Sequence, residues 1–150
     1  MDTMNESYRL DTEALPFLPV PHDCVIKNIL VDKENQCISF VFEDDLSGYD
    51  SIAHFKPGAK SLVIKYHLDD VDDYELYKSL KPSLLHRHGG YKCLTDVEKG
   101  SHDALIKLTN HKLEYISHYV AYKAMIIELW AESSIILKLN ADTVEYEWKY

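Results

Sequence analysis

The 150-residue chain has few of the residues that interrupt regular structure or mark special chemistry. It contains five glycines, five prolines and three cysteines. It has no run of about 18 apolar residues, so the sequence predicts no membrane-spanning helix. The N-terminus has no basic region followed by an apolar core, which argues against a secretory signal peptide. We therefore expect a cytoplasmic protein with no membrane partner.

The three cysteines, Cys24, Cys37 and Cys93, are an odd number at irregular spacing. That pattern is typical of buried thiols in a reducing compartment rather than of a disulfide framework. None of the three has the partner spacing of a zinc finger. Two histidines that lie two residues apart, His86 and His88, are the remaining candidates for a metal site. The sequence favours a polar loop there, and it predicts no metal and no cofactor.

Negative charge exceeds positive charge and is concentrated in one half of the chain. There are 16 basic and 25 acidic side chains, which give a formal net charge of −9. Residues 1–75 carry 6 basic and 16 acidic side chains, whereas residues 76–150 carry 10 and 9. The acidic half repels phosphate backbones, so nucleic acid is not the expected partner. It attracts a basic protein partner instead.

Residues 112–148 contain neither glycine nor proline, and they are rich in aromatic and β-branched side chains. Val144, Tyr146 and Trp148 fall on one face of an extended chain, and polar residues fall on the other. Alternation with a period of two is typical of a strand that has one buried side. We predict three or four antiparallel strands in this stretch, with Tyr146 and Trp148 in the core.

Further strands are predicted in the first half of the chain. Residues 24–31 and 36–43 predict a β-hairpin around a polar turn. Residues 61–68 alternate between apolar and polar side chains, as a half-buried strand does. Residues 51–55 predict one more short strand.

Two segments predict short helices. Acidic side chains at the start of residues 73–80 suit the positive end of a helix dipole. Residues 101–111 carry apolar side chains at helical spacing. Residues 1–21 contain three closely spaced prolines, so they predict a tail or an edge covering of a sheet domain at residues 22–150. The predicted fold class is α+β: mainly antiparallel sheet, as a sandwich or half-open barrel, with one or two short helices.

One acidic interval is the candidate binding surface. It holds five carboxylates within seven residues, more than a helix cap needs, and a basic partner would relieve their mutual repulsion. Tyr74 and Tyr77 lie three residues apart, so in a helix they would share a face and anchor the contact. A calcium loop needs a glycine and a distal glutamate at spacings that are not met. The predicted partner-binding residues are Asp69, Asp70, Asp72, Asp73, Tyr74, Glu75 and Tyr77.

The alternative is a cleft for a small molecule or a reaction, lined by His118, Tyr119 and Tyr122. A lone histidine on an apolar face is more often a packed core residue than a catalyst. The adjacent pair His22 and Asp23 is a further candidate, but neighbouring side chains on a strand point to opposite faces. Nucleophile elbows, phosphate loops and dinucleotide-binding glycine patterns are absent. The sequence therefore favours a non-enzymatic protein.

The segment PHDCVIKNI and the following strand ISFVFED resemble the opening of several small bacterial β-rich families that include immunity proteins of polymorphic toxin systems. The likeness covers residues 22–43 and is carried by His22, Asp23, Ile26, Ile29, Ile38, Phe40 and Phe42. The resemblance implies a cytoplasmic, acidic, non-enzymatic protein that binds and neutralises a toxin. It supplies no catalytic residue.

Overall fold

The structure is a computed structural model that describes residues 2–80 and 89–150. Within these residues ten strands form one antiparallel sheet, accompanied by two short helices and two 3₁₀ turns. The strands are β1 (Thr3–Arg9), β2 (Val25–Asp32), β3 (Cys37–Phe42), β4 (Ser61–Leu68), β5 (Tyr74–Ser79), β6 (Tyr91–Cys93), β7 (Leu113–Ala121), β8 (Ala124–Trp130), β9 (Ser134–Leu139) and β10 (Ala141–Lys149). The helices are α1 (Asp50–Phe55) and α2 (Asp103–Ile106), and the 3₁₀ turns are Val97–Lys99 and Lys107–Asn110.

The strand order in the sheet is β1-β10-β4-β3-β2-β7-β8-β9-β5-β6. A short ladder between β2 and β7, in which Val25 and Ile26 pair with Glu114 and Leu113, joins the two halves of the sheet. Asn140 alone links β9 to β10, although these strands belong to different halves. Neighbouring strands lie about 4.8 Å apart, so in a flat sheet β9 and β10 would be roughly 29 Å apart. The sheet is therefore bent so that its halves face each other, and it stays open at β1 and β6.

Alternating burial explains why these segments are strands. Every second residue of β4 is buried, and the residues between them face outward. Tyr146 and Trp148 of β10 are fully buried in a hydrophobic core to which both halves contribute. The Tyr146 hydroxyl donates to the Pro19 carbonyl oxygen at 2.6 Å, and Trp148 Nε1 donates to Glu6 at 2.8 Å. The prediction that Tyr146 and Trp148 belong to the core is confirmed.

Most predicted strands are also confirmed. Residues 112–148 form the four strands β7 to β10, and the predicted hairpin is β2 and β3. The strand predicted at residues 61–68 is β4. The fold class is α+β, as predicted, with mainly antiparallel sheet and two short helices.

The strand predicted at residues 51–55 is wrong, because this segment belongs to α1. Its residues do not alternate in polarity along an extended chain. One helical turn instead buries Ile52 in the core and brings the ring of Phe55 within 6.0 Å of Phe17.

The helix predicted at residues 73–80 is also wrong, because this segment is the strand β5. Tyr74 and Leu76 are buried and Glu75 between them is exposed, which is a period of two. β9 pairs with one edge of β5 and β6 pairs with the other. The hydrogen bonds of these two neighbours outweigh the local preference of the acidic residues for a helix start. The helix predicted at residues 101–111 is present as α2 and the 3₁₀ turn after it.

Residues 10–21, which we call the N-terminal strap, cross one end of the core. Leu10 and Leu18 are buried there. The strap is fixed by its carbonyl oxygens: Leu10 accepts from the Lys123 N–H at 2.8 Å, and Leu18 accepts from His118 Nε2 at 3.0 Å. Because proline lacks an N–H but keeps its carbonyl oxygen, a proline-rich segment suits this arrangement.

Candidate functional site

Five of the seven predicted partner-binding residues line one groove of 480 Å³ beside β5. Four of its nine lining residues are carboxylates, and none of these described residues is lysine or arginine. We call this feature the acidic groove. Its lining residues are Asp72, Asp73, Tyr74, Glu75, Tyr77, Cys93, Thr95, Val97 and Glu98.

Main-chain bonds fix the two sides of the acidic groove relative to each other. Tyr77 of β5 pairs with Cys93 of β6. Beyond that ladder, the Leu94 N–H donates to the Leu76 carbonyl oxygen at 2.8 Å. The Leu76 N–H donates to Thr95 Oγ1, also at 2.8 Å. The middle of the groove is therefore held by strands β5 and β6, whereas Asp72 and Asp73 lie just before β5 and Glu98 lies in a 3₁₀ turn.

The two tyrosines of the groove do not share a face, so the prediction that they would is wrong. They are three apart in a strand, which turns Tyr74 into the core and Tyr77 outward. The Tyr77 hydroxyl donates to Glu75 at 3.1 Å, and this bond raises the pKa of Tyr77. Burial, followed by the carboxylates of Asp96 and Asp72, raises the pKa of Tyr74. Tyr77 is thus the groove's accessible aromatic side chain.

Asp69 and Asp70 lie outside the groove lining. Asp69 is 3.4 Å from Lys123 Nζ. A hydrogen bond with Asp142 and the neighbouring Lys123 lower the pKa of Asp69. The Asp70 carboxylate accepts from the Asp72 N–H at 2.9 Å and so shapes the turn before β5. The structure therefore divides the acidic interval between the groove and the turn.

Three of the groove carboxylates have a neutral or cationic neighbour outside the groove lining. Asn140 donates to Asp73 at 3.1 Å, and Lys138 Nζ lies 3.6 Å from Glu75. His102 Nε2 lies 2.7 Å from Asp72. Only Lys138 among these neighbours carries a fixed positive charge, so the groove keeps a net negative field.

Sequence reasoning missed His102, which is 6% exposed and links two groove residues. A carboxylate only accepts hydrogen bonds, so Nε2 carries the proton that it donates to Asp72. Nδ1 lies 2.8 Å from the Tyr74 hydroxyl, which donates to it when the ring is neutral. Tyr74 and His102 are far apart in sequence, and no spacing rule could have connected them. The contact holds Asp72 at the groove margin.

The alternative cleft is only partly assembled. His118 and Tyr119 line a shallow groove of 270 Å³ together with strap residues, whereas Tyr122 is not among its lining residues. His118 Nε2 donates to the Leu18 carbonyl oxygen, so its neutral Nδ1 accepts a short hydrogen bond from the Tyr115 hydroxyl. Burial lowers the pKa of His118. Both ring nitrogens are thus engaged within the protein.

His22 and Asp23 come closer together than strand geometry predicts. They precede β2, and Asp23 has a positive φ of 66°, which turns its carboxylate to within 3.3 Å of His22 Nε2. His22 Nδ1 lies 2.8 Å from the Ile116 carbonyl oxygen, and the Asp23 N–H donates to the Tyr115 carbonyl oxygen. The pair therefore fastens the start of β2 to β7.

The metal-site candidates His86 and His88 lie outside the residues that the structure describes. Within residues 2–80 and 89–150, no group of three or more His, Cys, Asp and Glu side chains is arranged to hold a metal ion. No helix in these two ranges is long and apolar enough to cross a bilayer.

Comparison with known proteins gives no relative that would assign the groove a role. No protein-family model matches the chain, and no curated protein or solved structure matches it significantly.

Proposed function

We propose that this protein is a non-enzymatic, immunity-like binding module that neutralises a basic toxin through the acidic groove. The observation that carries the proposal is the groove lining, in which four carboxylates stand together without a lysine or arginine among the described residues. A groove of one charge sign raises the local concentration of an oppositely charged partner and speeds the encounter.

The groove also has features of a contact site beyond its charge. The β5 ladders fix the strand part of the groove, so a partner would meet Glu75 and Tyr77 on preorganised backbone. Tyr77 supplies a partly exposed aromatic ring, the type of side chain that often dominates binding energy. Lysine or arginine side chains of a partner would find both a ring and carboxylates within the same groove.

The histidines support the binding proposal over an enzymatic one. A general base needs a ring nitrogen within reach of a substrate proton. His118 bonds a backbone carbonyl oxygen and the hydroxyl of the buried Tyr115, and His102 bonds Asp72 and the hydroxyl of the buried Tyr74. These partners favour structural contacts around the groove and the strap over a base that faces a substrate.

Co-expression with the products of the reading frames beside this gene tests the proposal. We expect one product to arrest growth when expressed alone, and growth to recover when this chain is present. The two proteins should also co-elute as a stable complex in size-exclusion chromatography. Normal growth with each neighbouring product alone, or toxicity that this chain does not relieve, would contradict the proposed function.

A further inference from the structure

The outward faces of the two halves of the sheet differ in character. On the half that contains β4 and β10, polar side chains pair across the strands. Lys65 lies 3.2 Å from Glu147, and His67 lies 2.9 Å from Glu145. Leu30 of β2 is 55% exposed on this face, which is otherwise mainly polar near β4 and β10.

The outward face of the other half carries large apolar side chains. Tyr119 of β7 is 69% exposed, and Ile126 and Trp130 of β8 are 41% and 46% exposed. Tyr119 and Ile126 are cross-strand partners, as are Ile136 of β9 and Tyr77 of β5. We call this surface the aromatic face; its residues are Tyr77, Tyr119, Ile126, Trp130 and Ile136.

The aromatic face is continuous with the acidic groove. Tyr77 belongs to both, and the cross-strand partner of Tyr77 on its other side is Cys93, which also lines the groove. A partner seated in the groove would therefore meet the aromatic face without crossing an intervening element of the sheet. Contiguous exposed apolar side chains with a polar border are typical of protein contact sites.

Carboxylates lie between the apolar side chains of the aromatic face. Glu128 of β8 projects between Ile126 and Trp130, and Glu114 is the cross-strand partner of Trp130. Lys138 is the cross-strand partner of Ile126 and lies 3.6 Å from Glu75. Lys112 lies 3.1 Å from Glu114. Glu128 and the groove carboxylates other than Glu75 therefore supply the excess negative charge of this surface. A second copy of this chain would bring two surfaces of the same charge together. Charge complementarity therefore favours a basic partner over self-association.

We infer, on the basis of the proposed function, that the aromatic face is the apolar part of the same partner-binding surface. Its occupant is a segment of the basic partner in which arginines alternate with apolar residues. A planar guanidinium stacks on tyrosine or tryptophan and pairs with a neighbouring carboxylate, which suits the interleaved rings and carboxylates of this face. The apolar residues of the segment would cover Ile126 and Ile136.

Amide chemical-shift mapping with two synthetic peptides tests this inference on the protein alone. One peptide alternates arginine and leucine, and the other has the same charge with serine in place of leucine. We expect the arginine–leucine peptide to shift amides of β8 and β9 as well as those of the groove. It should bind about tenfold more tightly than the arginine–serine peptide, because only leucine buries apolar surface.

The double variant Ile126→Ser/Trp130→Ser should lose the tenfold preference for the arginine–leucine peptide. The matched control removes two exposed apolar side chains elsewhere, in the double variant Leu30→Ser/Ile106→Ser, and should keep the preference. If the double variant Ile126→Ser/Trp130→Ser fails to fold, Tyr119→Ser serves as the test variant, because the side chain of Tyr119 is more exposed than those of Ile126 and Trp130.

The outcomes separate the inference from the proposed function. Equal binding of both peptides with shifts confined to the acidic groove would overturn the inference and leave the groove proposal standing. Shifts on β8 and β9 without any shift in the groove would support the aromatic face and count against the groove. Shifts spread evenly over exposed carboxylates such as Glu13 and Glu34 would overturn both.

Discussion

At the scale of single residues, buried aromatic side chains combine apolar packing with satisfied polar groups. Trp148 and Tyr146 lie side by side in the core, with ring centroids 5.9 Å apart. The indole N–H bonds to Glu6, whose carboxylate also lies 2.9 Å from Lys56. Burial opposes ionisation of Glu6, but the hydrogen bonds from Lys56, Tyr8 and Trp148 outweigh it and lower its pKa. Trp148 thus ties β10 to the edge strand β1.

The substitution Trp148→Ala should lower the free energy of unfolding by ~3–5 kcal/mol, because it leaves a large cavity in a packed core. Trp130→Ala is the matched control, since the same side chain is 46% exposed there and its loss should cost much less. Chemical denaturation of both variants makes the comparison. Equal shifts of the two midpoints would contradict the placement of Trp148.

At the scale of elements, the sequence predicted strands best where polarity alternates over six or more residues. β4 and β10 are examples, and each buries one regular face. β5 was mistaken for a helix because its local signal, a cluster of carboxylates, belongs to the turn at Asp70 and to the groove. Its strand character comes from pairing with β9, which lies about 60 residues away in the chain. No local pattern contains that information.

The acidic groove could be predicted from the sequence only in part, because strand pairing brings residues into it from distant parts of the chain. The cluster of carboxylates and Tyr77 were identified from composition and spacing alone. Cys93, Thr95 and Glu98 join the groove only because β6 pairs with β5. Tyr74 and Tyr77 do not share a face, because their segment is a strand and not the predicted helix. The charge of the groove could therefore be predicted from the sequence, whereas its shape depends on strand pairing.

The contribution of His118 to stability should depend on pH in mild acid. Burial lowers the folded-state pKa of His118 below the ordinary value of 6.5, and the bond that its Nε2–H donates to Leu18 opposes this shift without cancelling it. The unfolded chain therefore takes up this proton first as the pH falls. The stability that neutral His118 contributes is complete above pH 6.5 and is lost as the pH falls from there through the lowered pKa.

The stability difference between the native chain and a His118→Gln variant should therefore shrink as the pH is lowered from 7 to 5, about the range over which histidine titrates. Urea denaturation at several pH values measures it. His111→Gln, at an exposed position, controls for the loss of a histidine ring. A stability difference for His118→Gln that stays constant over this pH range would show that His118 is not held neutral by burial.

At the scale of the whole molecule, the bent sheet separates two surfaces with different side chains. One outward face is mainly polar near β4 and β10, whereas the other joins exposed aromatic rings to the acidic groove. The net charge of −9 alone would favour solubility and weak attraction to any basic protein. We propose, more specifically, that the carboxylates of the groove, rather than the total charge, guide a basic partner to this protein.

Association kinetics with the partner found by co-expression test that claim most directly. The groove variant is the isosteric double variant Asp73→Asn/Glu75→Gln, which removes two charges of the acidic groove. The control is the double variant Glu13→Gln/Glu34→Gln, which removes two exposed charges elsewhere. We expect the groove variant to associate about tenfold more slowly at low salt, with the difference shrinking at high salt as screening increases. The control should associate at the native rate. Equal slowing of both variants, or no slowing of either, would contradict the account.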